Sequence, residues 1–119
     1  MSNINLKKGL SGISAYWDPH MVTEVNDHDI KVAKIKGVFD WHHHTDTDEL
    51  FLILKGTVKM EMDGETKVLN EGDVFVVKKG VEHRPVAEEE AHILLIEKRG
   101  TINTGNVVTD KTKTNLKSL

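Results

Sequence analysis

The stretch GVFDWHHHTDTDELFLILKG, residues 37–56, decides the fold and points to the chemistry. It runs into Leu50–Leu54, five successive apolar residues and the longest such run in the chain. Apolar side chains at both parities of a strand put both of its faces out of water. One face can fill a barrel interior, and the other has to meet a second layer or another subunit.

Working outward, the pattern on either side is β. Ile30, Val32, Ile35 and Val38 interleave with Lys31, Lys34 and Lys36. Val58, Met60 and Met62 alternate with Thr57, Lys59 and Glu61, the period-2 mark of a half-buried strand. Asp63-Gly64 then separates this run from Glu65–Leu69 and predicts a hairpin with a type I′ turn, which needs two residues tolerant of positive φ. Glu71-Gly72-Asp73 and Lys79-Gly80 mark further turns around Val74–Val77, and His92–Ile96 forms another strand. Glu88-Glu89-Glu90 reads as a solvated turn. Eight or nine short strands and no helical periodicity predict an all-β sandwich or small barrel. Residues 1–21 read as a partly ordered N-terminal arm, loose at its start. Residues 101–119 read as a Thr-, Asn- and Lys-rich tail with one short strand near Val107-Val108.

The chain has 119 residues, 16 Lys+Arg against 19 Asp+Glu and a net charge of −3. That is enough for one domain with its own core. A mildly acidic balance with only two arginines, Arg84 and Arg99, argues against a general grip on nucleic acid. No run approaches the ~20 apolar residues of a membrane span. Met1 to Gly12 shows two lysines with no apolar stretch after them, so no secretory leader is expected there. With no cysteine, thiolate metal sites, disulfides and thiol nucleophiles are excluded, and a cytoplasmic location is expected.

Seven histidines stand out, three of them consecutive at His42, His43 and His44. On an extended chain His42 and His44 point to one face and His43 to the other. A hairpin across Thr45–Asp48 would bring Glu49 back beside them, and His83 opens another strand after the Lys79-Gly80 turn. Three imidazoles and a carboxylate make a nitrogen/oxygen site suited to Fe, Mn, Ni, Co, Cu or Zn. Four protein ligands around a six-coordinate ion leave positions open for a small-molecule ligand, substrate or dioxygen.

Residues 37–56 resemble the first motif of the cupin superfamily, in which a glycine, a His-x-His pair, a glutamate and a second glycine follow in order. The stretch GDVFVVKKGVEHRPVA, residues 72–87, resembles the second motif, and a short hairpin links the two as in small single-domain, mannose-6-phosphate isomerase-like cupins. Gly37 stands one residue nearer to His42 than in the motif, Lys78 stands where proline is usual, and Ala87 where asparagine is. The resemblance covers residues 22–100 and implies a double-stranded β-helix, a jelly-roll barrel. It implies one divalent transition metal inside the barrel on His42, His44, Glu49 and His83, and a homodimer. The family's activities include dioxygenases, isomerases, epimerases and non-enzymatic sensors, and fold does not choose among them.

Other residues have plainer readings. Arg84 is read as a surface or interface ion pair, with a contact to an anionic substrate as the alternative. His92 is read as structural, with a general base in the cavity as the alternative. Phe51, Ile53, Val58, Met60, Phe75 and Val77 are expected to supply both core and cavity lining, and Trp41 to pack outside the barrel.

Overall fold

The alternating runs become eight strands and one short helix in a computed structural model that describes all 119 residues. In order they are α1 (Leu6–Leu10), β1 (His20–Val25), β2 (His28–Val38), β3 (Glu49–Lys55), β4 (Val58–Met62), β5 (Glu65–Leu69), β6 (Val74–Val77), β7 (His83–Lys98) and β8 (Lys117–Ser118). No helix is long and apolar enough to cross a membrane.

The 16-residue β7 is the spine. It pairs antiparallel with β2 over most of its length, with β4 through His83–Val86, and with β3 through His92–Glu97. The hydrogen-bonded order is β5-β4-β7-β2-β1-β8, with β3 and β6 joined to β7 as a second branch. One strand thus serves two antiparallel layers that curl around a common interior, which is the double-stranded β-helix. Ala33, Ile35, Phe51, Ile53, Val58 and Met60 are among the buried residues filling it.

Several expectations change in the structure. The N-terminal segment carries a helix that no periodicity predicted: Asn5 caps α1 by accepting a 2.9 Å bond from the Lys8 amide. Leu10 and Ile13 are buried against Val32 on the outside of the sheet. Five residues cannot hold a helix by propensity, so packing does; each such side chain contributes about 1.5–3 kcal/mol on burial. All four of Leu50, Leu52, Leu54 and Leu94 are half-buried, and this layer packs on Leu54 and Leu94 but not on Leu50 and Leu52.

Glu88-Glu89-Glu90 is not a turn but part of β7. Between Ile35↔Ala91 and Gly37↔Ala87 the strand carries two residues more than β2, so the three glutamates form a bulge. The β4–β5 hairpin forms as expected, but only Gly64 has positive φ (+71°), so its turn is not type I′. Nor do β2 and β3 form a hairpin: β3 pairs with β6 and β7 instead. Val107-Val108 is no strand, and Val108 is exposed; the tail's strand is β8, parallel to β1. Side chains of Asn103, Thr104 and Thr109 tie the tail into turns by bonding its own backbone, which competes with strand pairing there.

Gly105 lets this tail reach the barrel. It adopts φ +57°, and a Cβ built there would overlap the His43 carbonyl oxygen. Gly80 also has positive φ (+82°) but open space around it. Gly80→Ala should therefore cost only the left-handed strain, about 1–2 kcal/mol, and Gly105→Ala clearly more. Urea unfolding of the two variants measures the difference; equal costs would mean that the tail does not bear on His43.

Candidate metal centre

Three segments meet inside the barrel: the His42–His44 stretch between β2 and β3, the start of β3 at Glu49, and the start of β7 at His83. His42 lies outside any regular strand. A single antiparallel bridge holds it to His83, with the His42 amide donating to the His83 carbonyl at 3.0 Å and the reverse bond at 2.9 Å. The loop after His44 is anchored to the turn before β7: the Gly80 amide donates to the His44 carbonyl at 2.8 Å, and the Lys79 amide to Asp48 Oδ1 at 2.9 Å. Those bonds bring Glu49 back beside the histidines, where the sequence reading had invoked a hairpin.

His42, His44, Glu49 and His83 are all buried, and one donor atom from each lies within 4.8 Å of the others. His44 Nε2 is 3.3 Å from Glu49 Oε1, and His83 Nε2 is 3.5 Å from the same oxygen. Two donors on one ion with bonds of ~2.1 Å stand roughly 3.0–3.4 Å apart, from right-angle to tetrahedral arrangement.

The tautomers follow from the backbone. His42 Nδ1 lies 2.9 Å from the Asp40 carbonyl oxygen and His83 Nδ1 lies 2.8 Å from that of Val81. A carbonyl only accepts, so both Nδ1 atoms carry the proton and each Nε2 presents a bare lone pair. The outer hydrogen bond that orients a metal-binding imidazole is thus in place twice. Meanwhile His44 Nε2, His83 Nε2 and Glu49 Oε1 are buried without any hydrogen-bond partner. Leaving such atoms unsatisfied costs about 1–3 kcal/mol each, and a cation among them removes that cost. The residues present therefore fit a transition-metal ion.

Burial, and then the neighbouring His83, push the His42 pKa down to about 4. Burial alone would raise Glu49, but when the His44 and His83 rings carry a proton on Nε2 their hydrogen bonds and charge outweigh it and hold its carboxyl well below the usual range. The reading of sequence missed a second group behind Glu49. Glu97 faces it across the β3–β7 pairing, and Glu97 Oε1 accepts from Lys31 Nζ at 2.9 Å, with both side chains buried. Burial and the Glu49 charge push Glu97 well above the carboxylate range, and Lys31 offsets this only in part. The available signal was phase: Asp29 and Lys31 share the parity of Ala33 and Ile35, which face inward.

A cavity adjoins the cluster at His42 and Glu49, with about 400 Å³ of atom-free space when open solvent at its mouth is included. The six residues expected to share core and lining divide here: Phe51 lines the cavity, Ile53, Val58, Met60 and Val77 are core, and Phe75 packs against them. Trp17 from the N-terminal segment, Phe39 and Asn103 from the tail supply walls that were not anticipated. His92 is on the outer parity of β7 and donates from Nε2 to Glu90 Oε2 at 2.8 Å, so it is no cavity base. Arg84 bonds Glu61 at 2.6 Å and lies over the Trp41 ring, away from the cluster. His43 turns outward to Glu82.

The cupin domain family model matches residues 21–97. A cupin-2 domain containing protein from Shewanella frigidimarina is 40% identical, with a TM-score of 0.79 over 81% of this chain and 94% of that one. Protein NMB1881 from Neisseria meningitidis is 32% identical, with a TM-score of 0.76 over 82% and 99%. Uncharacterized protein YdbB of Bacillus subtilis is 45% identical over 64 residues, which span 53% of this chain and 57% of that protein.

The His42 shift has a measurable sign. Its folded value lies below the ordinary ~6.5 of an unfolded chain, so its contribution to stability is full above that pH and is lost as pH falls toward about 4. Glu97, shifted upward, acts in the opposite sense: it favours folding at low pH and loses that contribution as pH rises. In metal-free protein the His42 ring resonances should titrate near 4, and Glu97→Gln should lose stability more steeply on acidification than the parent. A His42 midpoint near 6.5 would contradict the burial of a neutral ring.

Proposed function

The chain belongs to the cupin domain family, and on that premise we propose that it is a metal-dependent enzyme acting on a small molecule. His42, His44, Glu49 and His83 hold one divalent transition ion. The observation that carries this reading is the convergence of three buried, partnerless donor atoms beside an apolar cavity. When bound, such an ion supplies a Lewis acid for a carbonyl or enolate oxygen or, if it is iron, a centre for dioxygen.

The chain's own residues do the rest. Asp40 and Val81 carbonyls orient two ligand rings, and Glu49 contributes the negative charge. The apolar walls exclude water and strengthen electrostatic interactions inside. No Ser, Thr, Tyr, Lys or Arg lines the cavity. Isomerases and epimerases need a base within reach of the proton they move, so of the family's activities the dioxygenase type is favoured. The same lack of a second acid–base group supports one other reading, a non-catalytic sensor that binds its ligand at the ion.

We also propose a homodimer through the outer face of β3 and β6. Leu50 opposes Val76 and Leu52 opposes Val74 on that face, and the N-terminal layer does not cover them. For so apolar a strip on a cysteine-free chain, a second copy in the cytoplasm is the occupant we favour.

Untagged protein purified without chelator should carry one equivalent of a transition metal by elemental analysis, and an iron-loaded sample should consume oxygen with its substrate. His83→Ala should lower metal affinity by about 100-fold or more, since even outer-shell partners are worth roughly 10–100-fold, while the fold persists. Unchanged affinity would remove His83 from the site. Sedimentation should give a dimer that Val74→Lys with Val76→Lys converts to monomer; a parent protein that is already monomeric would refute the interface.

A further inference from the structure

The cavity's walls say what the proposed metal would receive. Trp17 is one of the walls that come from outside the barrel strands. It holds a left-handed backbone, φ +57°, rare for so bulky a residue. Three contacts keep it there: its amide donates to the Lys34 carbonyl at 2.9 Å, its Nε1 to the Lys36 carbonyl at 2.9 Å, and its ring stacks on Phe39 with centroids 4.8 Å apart. Specific bonds thus hold the strained backbone that places this ring on the cavity wall.

The cavity has two ends in chemical terms. Towards the cluster it meets His42 and Glu49; elsewhere it meets the Trp17–Phe39 stack, Ile35, Ile93 and Ala33. The one amide on the wall, Asn103, is half committed: its Nδ2 donates one hydrogen to the Lys111 carbonyl and its Oδ1 accepts from the Lys113 amide. Lys31, the buried cation nearest to Glu49, is committed to Glu97 and the Thr101 carbonyl and is not on the wall. No cation on the wall can therefore pair with a phosphate, and a single free amide N–H is too little to satisfy a row of hydroxyls. A divalent ion with Glu49 leaves one net positive charge, which one anionic oxygen neutralises.

Resting on the metal reading above, we infer that the ligand is a compact acid with a single negative charge, its oxygens toward the cluster and a hydrocarbon body against Trp17 and Phe39, and that Trp17 sets its size. Sugar phosphates are excluded, although mannose-6-phosphate isomerase-like cupins are among those that the sequence resembles.

The test uses the full chain titrated with cobalt(II), whose visible spectrum reports both loading and ligand binding. The 2-oxo acid 3-methyl-2-oxobutanoate should bind at least about tenfold more tightly than mannose 6-phosphate, on the scale by which apolar pockets discriminate. Ala33→Leu, which adds bulk at a cavity wall that is not one of the four donors, should weaken that binding about tenfold or more at unchanged cobalt stoichiometry. Trp17→Ala, at a half-exposed position, should raise the affinity of 2-oxo-3-phenylpropanoate relative to 3-methyl-2-oxobutanoate by a similar factor. Cobalt binding with mannose 6-phosphate preferred, or with neither variant shifting the 2-oxo acids, would overturn this inference alone. No cobalt binding would overturn it together with the metal reading.

Discussion

Two backbone hydrogen bonds between His42 and His83 hold the site together. They join the irregular connection after β2 to the first residue of β7, and they put both side chains on the inner face, as a directly opposed antiparallel pair must be. Each ring then finds the carbonyl two residues before it, Asp40 or Val81. One local device, used twice, sets two tautomers and two lone-pair directions. Gly105 allows the tail to close over His43 from outside, where the Asn106 amide donates to the His43 carbonyl. Irregular backbone around His42–His44 is tolerable because its polar groups are spoken for by β7, the Gly80 turn and the tail.

Charge inside the barrel is arranged as strictly as shape. Asp29, Glu49, Glu97 and Lys31 are all buried, a combination that an apolar interior does not accept without pairing. Asp29 Oδ2 accepts from the Gly100 amide and Lys31 bridges Glu97 to the Thr101 carbonyl, so this end of the barrel is tied to the chain that leaves β7. Burial and the Glu49 charge favour the protonated form of Glu97, and protons on the His44 and His83 rings favour ionised Glu49. The negative charge is thereby concentrated on the carboxylate that faces the imidazoles.

The sequence made the chemistry legible and left the surroundings obscure, for a physical reason. His42 and His44 share a face because extended chain alternates, a local rule that holds even outside a regular strand. Val58–Met62 and Glu65–Leu69 are likewise local, a hairpin closed by Asp63-Gly64. What alternation cannot convey is which distant strand lies beside which. The Glu88–Glu90 segment reads as a turn by charge alone, and it is a bulge only because β2 pairs on both sides of it. Lys31 reads as solvent-facing because lysine usually is, although its parity with Ala33 and Ile35 points inward, and only the fold shows the partner that makes this tolerable, Glu97 opposite Asp29 and within reach. Leu6 and Leu10 are too few to announce a helix, and packing on β2 and β3 forms it.

The family match ends at residue 97 and begins at 21, and that boundary divides the site by role. Every candidate ligand lies within it. Trp17, Pro19 and Asn103 on the cavity wall, and Gly105 behind His43, lie outside it. Barrel strands must keep their alternation and pairing, since a one-residue slip would turn every inward side chain outward. Terminal segments carry no such constraint, because they touch the barrel through a few side chains and backbone bonds. A wall built from them can change without disturbing the donor set. Chains that share these donors can therefore differ in what they admit, and the residues to compare are those contributed by the two ends rather than those of the motifs.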